Sequence, residues 1–301
     1  MTTAKTILDN IMTRIGMYSA INNYFTSTEI HSQEVIRLLN ALLKELTASV
    51  NFKEMLEPFD IYTYKEWKND EILNAEEVRY VLSNSMDGTK YTVITGGHST
   101  TSPASNPSVK GDVFTTSDGL TWRNDGDWCE YDLLKYIPDY KSISINTLVD
   151  FDRRLPLTGI TDEQWQYNRM YQIKSYNGYY QLRGTRLFLF PGYLQNTHIS
   201  GFYYSSKPVI DASEIRQTQI TSQNDNILLP DLLLELGVAY KWLMQKNLAG
   251  WDDIKATYDD LLDTYVSLSK TSKRIRLSGE PVNTLTMNSA YPQVIISDQQ
   301  C

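Results

Sequence analysis

Residues 224–245 read NDNILLPDLLLELGVAYKWLMQ, a run of leucines broken by Pro230 and followed by apolar side chains on nearly every side. Proline lacks an N–H and carries a preset φ, so it is at home in the first turn of a helix, and Asp231 beside it suits the positive end of the helix dipole. The stretch therefore reads as a helix that Pro230 opens. Leu232, Leu236, Tyr240 and Leu243 make one apolar stripe, Leu234, Val238 and Trp242 make a second, and Gly237 allows another helix to come close. A helix in a four-helix bundle normally buries one stripe. The second asks for another cover: either a neighbouring subunit, with Leu234, Gly237, Val238 and Trp242 as the candidate interface, or the β-rich block of the same chain.

Working outward, Gly250 separates this helix from one that starts at Trp251 and runs to about Ser272, with Ile254, Tyr258, Leu261, Leu262, Tyr265 and Leu268 along one face. Near the other end of the chain, Ala4 to Ile15 shows the same period through Ile7, Leu8, Ile11, Met12 and Ile15. A longer helix is expected to start near Thr28 and to carry Val35, Leu38, Leu39, Leu42, Leu43 and Leu46. From about Ile61 the period shortens. Asp87-Gly88 and Asp118-Gly119 signal two hairpins, and Met170 to Ile210 reads as a meander of short antiparallel strands. Gly96 to Gly111, small, polar and punctuated by prolines, reads as a long flexible loop.

The expected fold class is thus α+β. Residues 1–60 and 212–276 supply N- and C-terminal helix pairs that form a four-helix bundle, residues 61–211 form an antiparallel β-rich insertion, and residues 277–301 form an extended C-terminal tail.

Chemistry is sparse. The net charge of −8, from 36 acidic against 28 basic residues, argues against a protein that works by neutralising phosphates. The two cysteines, Cys129 and Cys301, offer no disulfide framework, and the N-terminal stretch carries Lys5, Asp9, Asn10 and Arg14 where a secretory signal would be apolar. His31, His98 and His198 stand far apart without ligand spacing, and no hydrolase or nucleotide-binding motif occurs. No catalytic residues, metal or cofactor are expected, and no membrane span. The segment TSDGLTWRNDGDWCEYD, Thr116 to Asp132, cannot be an EF-hand loop, since Arg123 would occupy a ligand position. It resembles the Asp-box hairpin of sialidase-type propellers through Ser117, Asp118, Gly119, Thr121 and Trp122, one residue short; the plainer reading is a turn with a packed tryptophan. Whether Asp118, Asp125 and Asp127 hold a cation stays open.

Three stretches carry a broader likeness: TILDNIMTRIGMY, Thr6 to Tyr18; RLFLFPGYLQNTHISGFYYSSKPVI, Arg186 to Ile210; and ILLPDLLLELGVAYKWLMQ, Ile227 to Gln245. Together they resemble the head-to-tail adaptor (connector) proteins of tailed bacteriophages, of the tail-tubular-protein-A type, over roughly residues 4 to 60 and 170 to 275. Residues 85–150 match nothing in that family. The resemblance implies a structural virion protein at the head–tail junction, made in the host cytoplasm. It implies a homo-oligomeric ring of about twelve copies, docked on the portal protein and joined to the next tail protein, a nozzle or tail tube. Genomic DNA would pass through the lumen without sequence-specific binding. Val282, Leu285, Met287, Tyr291, Val294, Ile295 and Ile296 are then the candidate portal-docking residues of the tail. A second expectation is a carbohydrate-binding or carbohydrate-cleaving virion tail component that uses aromatics of the β-rich domain, Trp122 and Trp128 among them.

Overall fold

Thr3 accepts a hydrogen bond from the Thr6 amide and so caps helix α1, Ala4–Arg14, whose Ile7, Leu8, Ile11 and Met12 turn inward. The computed structural model describes residues 2–17, 21–83, 87–106, 108–144, 147–171, 173, 178–189 and 196–270. The other helices are α2 (Ile30–Ser49), the single turn α3 (Leu133–Tyr136), α4 (Asp162–Met170), α5 (Asp231–Gln245) and α6 (Trp251–Lys270). Pro230 is the N-cap of α5 rather than a residue of its first turn; its carbonyl accepts the first helical bond, from the Leu234 amide. Helix α2 begins after Glu29, not Thr28, without a side-chain cap.

The expected four-helix bundle with a β insertion is overturned. Among the described residues, twenty strands in five sheets stand against six helices, so the chain is a β-rich α+β protein. Helices α1, α2, α5 and α6 do share one apolar core, but they do not close it themselves. A small sheet built from Thr2–Thr3, Asn226–Ile227, Val209–Ile210 and Arg216–Gln217 adds Val209 and Ile227 to that core, and Ile220 joins them. The chain's first strand and a strand beside α5 are partners in it, Thr2 opposite Ile227.

The remaining sheets fill residues 56–205. The long strand His198–Ser205 pairs with Leu56–Tyr62 from His198 to Tyr204, and also with Tyr140–Ile143 and Val149–Asp150. A second sheet orders Glu130–Asp132, Arg186–Leu189, Tyr179–Arg183 and Thr158–Gly159. A third runs Lys65–Glu66, Val78–Leu82, Gly88–Thr95, Thr121–Asp127 and Val113–Thr115, and contains both expected hairpins. These sheets are not purely antiparallel: Thr158–Gly159 lies parallel to Tyr179–Arg183, and Lys65–Glu66 parallel to Val78–Leu82. Nor is the glycine-serine stretch a plain loop. Gly97–Ser99 pairs with Glu71–Leu73, and Pro103–Ser105 forms a 3-10 turn.

Candidate functional site

The apolar helix α5 is covered from within its own chain. Leu234 and Val238 are fully buried, and Trp242 retains 3% of its surface and meets the edge of His31 from α2 at 6.0 Å between ring centroids. At Gly237 a Cβ would lie 2.5 Å from Leu42 Cδ2 and 2.9 Å from Tyr258 Cε2, so α2 and α6 both press against this position. Glu235, also buried, accepts hydrogen bonds from Asn10 Nδ2 at 2.7 Å and Arg14 Nε at 2.8 Å, which ties α1 to a third side of α5. The four residues expected to face a neighbouring subunit are therefore core residues. The cover at these positions is chiefly α1, α2 and α6 of the same chain rather than a second subunit, and the small sheet carrying Val209 and Ile227 closes the rest of that core.

Incompletely covered apolar surface lies elsewhere on the helical layer. Helix α6 packs on α5, with Tyr258 5.2 Å from Tyr240, and reaches Phe52 through Tyr265 at 6.0 Å. Of its apolar residues only Tyr258 is buried; Ile254, Leu261, Leu262, Tyr265 and Val266 are partly covered, and Leu268 keeps 50% of its surface. Leu232, Met244 and Leu248 at the two ends of α5 are exposed to a similar degree. Fully burying one leucine stabilises by about 1.5–3 kcal/mol, so each of these exposed side chains has free energy to gain from a second surface.

In the third sheet the hairpin aspartates serve the turn. Asp118 Oδ2 accepts the Thr100 and Thr101 amides at 2.8 and 2.9 Å, and Oδ1 accepts the Thr116 hydroxyl. Burial alone would raise its pKa, but those bonds outweigh it and hold the carboxyl below its ordinary value. Asp125 is bound by Arg123 and the Thr92 hydroxyl, and Asp127 by the amide and thiol of Cys129. The three acids thus answer to separate donors, and among the described residues no three His, Cys, Asp or Glu side chains gather as a metal cage. Trp122 is fully buried with its Nε1 on Thr116 Oγ1 at 3.2 Å, and Trp128 is buried against Tyr80. Both tryptophans fill cores, so they cannot be a sugar platform.

A different aromatic cluster is exposed, and sequence reasoning missed it. Tyr62 and His198 are cross-strand partners, stacked at 4.8 Å, and Phe151 leans on the same imidazole at 4.9 Å. Tyr62 and Phe151 retain 64% and 61% of their surface. Asp60, two residues from Tyr62 and on its face of the strand, meets His198 Nε2 at 2.7 Å, and Asp152 accepts the His198 amide at 2.9 Å. The result is an open platform of two aromatic rings around an imidazole, flanked by two carboxylates. Alternation in FDIYTY, Phe59 to Tyr64, marks one strand of it, but only the register brings His198 there.

The candidate docking residues Val282, Leu285, Met287, Tyr291, Val294, Ile295 and Ile296 lie outside the described residues. No helix among the described residues is long and apolar enough to cross a membrane. No family model matches the chain, and no curated protein matches it.

Proposed function

We propose that the chain is a structural subunit that assembles into a ring, as the head-to-tail adaptors of tailed phages do, with the uncovered margin of the apolar stripe of α6 as a contact between copies. The observation that carries this reading is the half-covered apolar stripe of α6, which ends at the exposed Leu268. A ring gives each copy two different contact faces, so a patch on one copy need only match another patch on the next. The net charge of −8 suits a lumen through which DNA slides without adhering. Docking on a portal through residues 277–301, and a following tail protein as the other partner, rest on the resemblance alone. Particle mass and negative-stain imaging of the full chain, alone and mixed with portal rings, test the reading. Closed rings in either condition support it; a monomer that ignores portal rings refutes it.

A second reading is favoured by the Tyr62–His198–Phe151 platform. Flat exposed rings beside carboxylates match the apolar faces and hydroxyls of a sugar, so the β-rich part would bind carbohydrate on the virion surface. A glycan array with the full chain separates the two. Binding lost in Phe151→Ala favours the sugar reading, and silence removes it.

A further inference from the structure

A cleft of about 520 Å³ opens between α2 and the turns that follow the strands His198–Ser205 and Arg216–Gln217. Asn40, Lys44 and Thr47 line it from one face of α2, Lys141 from the strand Tyr140–Ile143, and Ser206 and Pro208 from the opposite turn. Its size falls within the range of about 300–1,000 Å³ typical of small-molecule sites. Its wall is fixed: the Asn40 side chain brackets Ile220, accepting the Ile220 amide at 2.8 Å and donating to its carbonyl.

Two observations point to a ligand, independently of any ring. Thr47 is 6% exposed, and its Oγ1 has no hydrogen-bond partner, although a buried hydroxyl is rarely left unpaired. Lys141 donates to the Val50 carbonyl at 2.6 Å and has no carboxylate partner among the described residues. Acids on the neighbouring elements are committed elsewhere: Glu45 of α2 to Lys241, Glu57 of the strand Leu56–Tyr62 to Arg216, and Asp139, two residues before Lys141, to the hydroxyls of Tyr203 and Ser205. Lys44, exposed at the rim, likewise forms no ion pair among the described residues. In a chain with eight more acidic than basic residues, two lysines meeting at one cleft without a counter-charge leave a place for an anion.

We propose that this cleft binds a small organic oxyanion, a phosphate monoester or a carboxylate, whose charged end sits on Lys141 Nζ and Thr47 Oγ1 while Lys44 closes over it. The organic body lies against Ala48 and Pro208. Inorganic phosphate, phenyl phosphate and benzoate serve as probes in calorimetric titration of the full chain.

Saturable binding of phenyl phosphate or benzoate is expected, tighter than that of inorganic phosphate, with the preferred probe showing which oxyanion the site takes. Lys141→Met should weaken the preferred probe by about tenfold, and Thr47→Val, close in shape, by a few-fold. Lys44→Met, at an exposed position, should weaken it as well and guards against a folding defect at Lys141. No binding of any probe overturns the proposal. So does equal binding by the wild type and by both lysine variants.

Discussion

Gly237→Ala sets two known effects against each other at one atom. Alanine in a helix interior is favoured over glycine by about 0.8–1.0 kcal/mol, so an exposed or loosely covered position would be stabilised. Here the new Cβ would stand 2.5 Å from Leu42 Cδ2 and 2.9 Å from Tyr258 Cε2, both buried side chains in a close-packed core. Overpacking of this kind costs about 1–3 kcal/mol, so the net result should be a loss of about 1 kcal/mol. Shortening Leu42 removes the nearer obstacle. Leu42→Ala alone should cost about 2–5 kcal/mol through its cavity, and adding Gly237→Ala to it should cost nothing further or recover part of that loss. Urea unfolding of the four proteins, read by tryptophan fluorescence and circular dichroism, closes the cycle, with a coupling of about 1 kcal/mol or more expected. If Gly237→Ala gained the full helix-propensity benefit, or the two changes were additive, α5 would not be pressed between α2 and α6.

Three further outcomes are expected. Thr161→Ala removes a capping box in which Thr161 Oγ1 accepts the Gln164 amide and Gln164 Oε1 accepts the Thr161 amide; it should cost about 1 kcal/mol and speed amide exchange in the first turn of α4, and unchanged exchange would count against the cap. Asp118→Ala strands the Thr100 and Thr101 amides and should lower stability by about 1–2 kcal/mol in urea titration, whereas a neutral result would mean the carboxylate does not anchor that segment. Burial pulls the Lys141 amine down to about 8, below its unfolded value, so between those two values the unfolded chain binds more protons and stability rises with pH. Solvent still reaches this side chain, which limits the effect to about 1 kcal/mol. In anion-free buffer the stability difference between Lys141→Met and the wild type should therefore shift toward the wild type by about that amount from pH 7 to 9.5, and a pH-independent difference would contradict it.

The long helices were legible because their signals are local. Stripes such as Ile7, Leu8, Ile11 and Met12 need only a 3.6-residue period, and α6 begins at Trp251 as its pattern indicates. Helix α4 was missed although Thr161-x-x-Gln164 spells its cap, because Asp162–Met170 carries too little apolar periodicity to draw attention. The two stripes of α5 were also legible, but not what covers them. A helix flanked by α1, α2 and α6 needs two buried faces without any partner chain, and that depends on contacts as distant as Asn10 with Glu235. Distance along the chain hid the rest as well. The pairing of Gly97–Ser99 with Glu71–Leu73, the meeting of Tyr62 with His198, and a cleft shared by Thr47, Lys141 and Ser206 follow no spacing rule. The hydrophobic pattern also says nothing of sheet count, so the weight of five sheets against the expected bundle was not legible in it.

The subunit contact on α6 is the central functional claim, and one exposed side chain tests it. Leu268→Asp changes a residue that keeps half its surface in the single chain, so the fold should survive with an unchanged thermal midpoint. Native mass measurement of wild type and variant, each alone and with portal rings, should show a multi-subunit ring for the wild type and a folded monomer for the variant. Identical ring masses for the two proteins, or a wild type that stays monomeric in both conditions, would contradict the account.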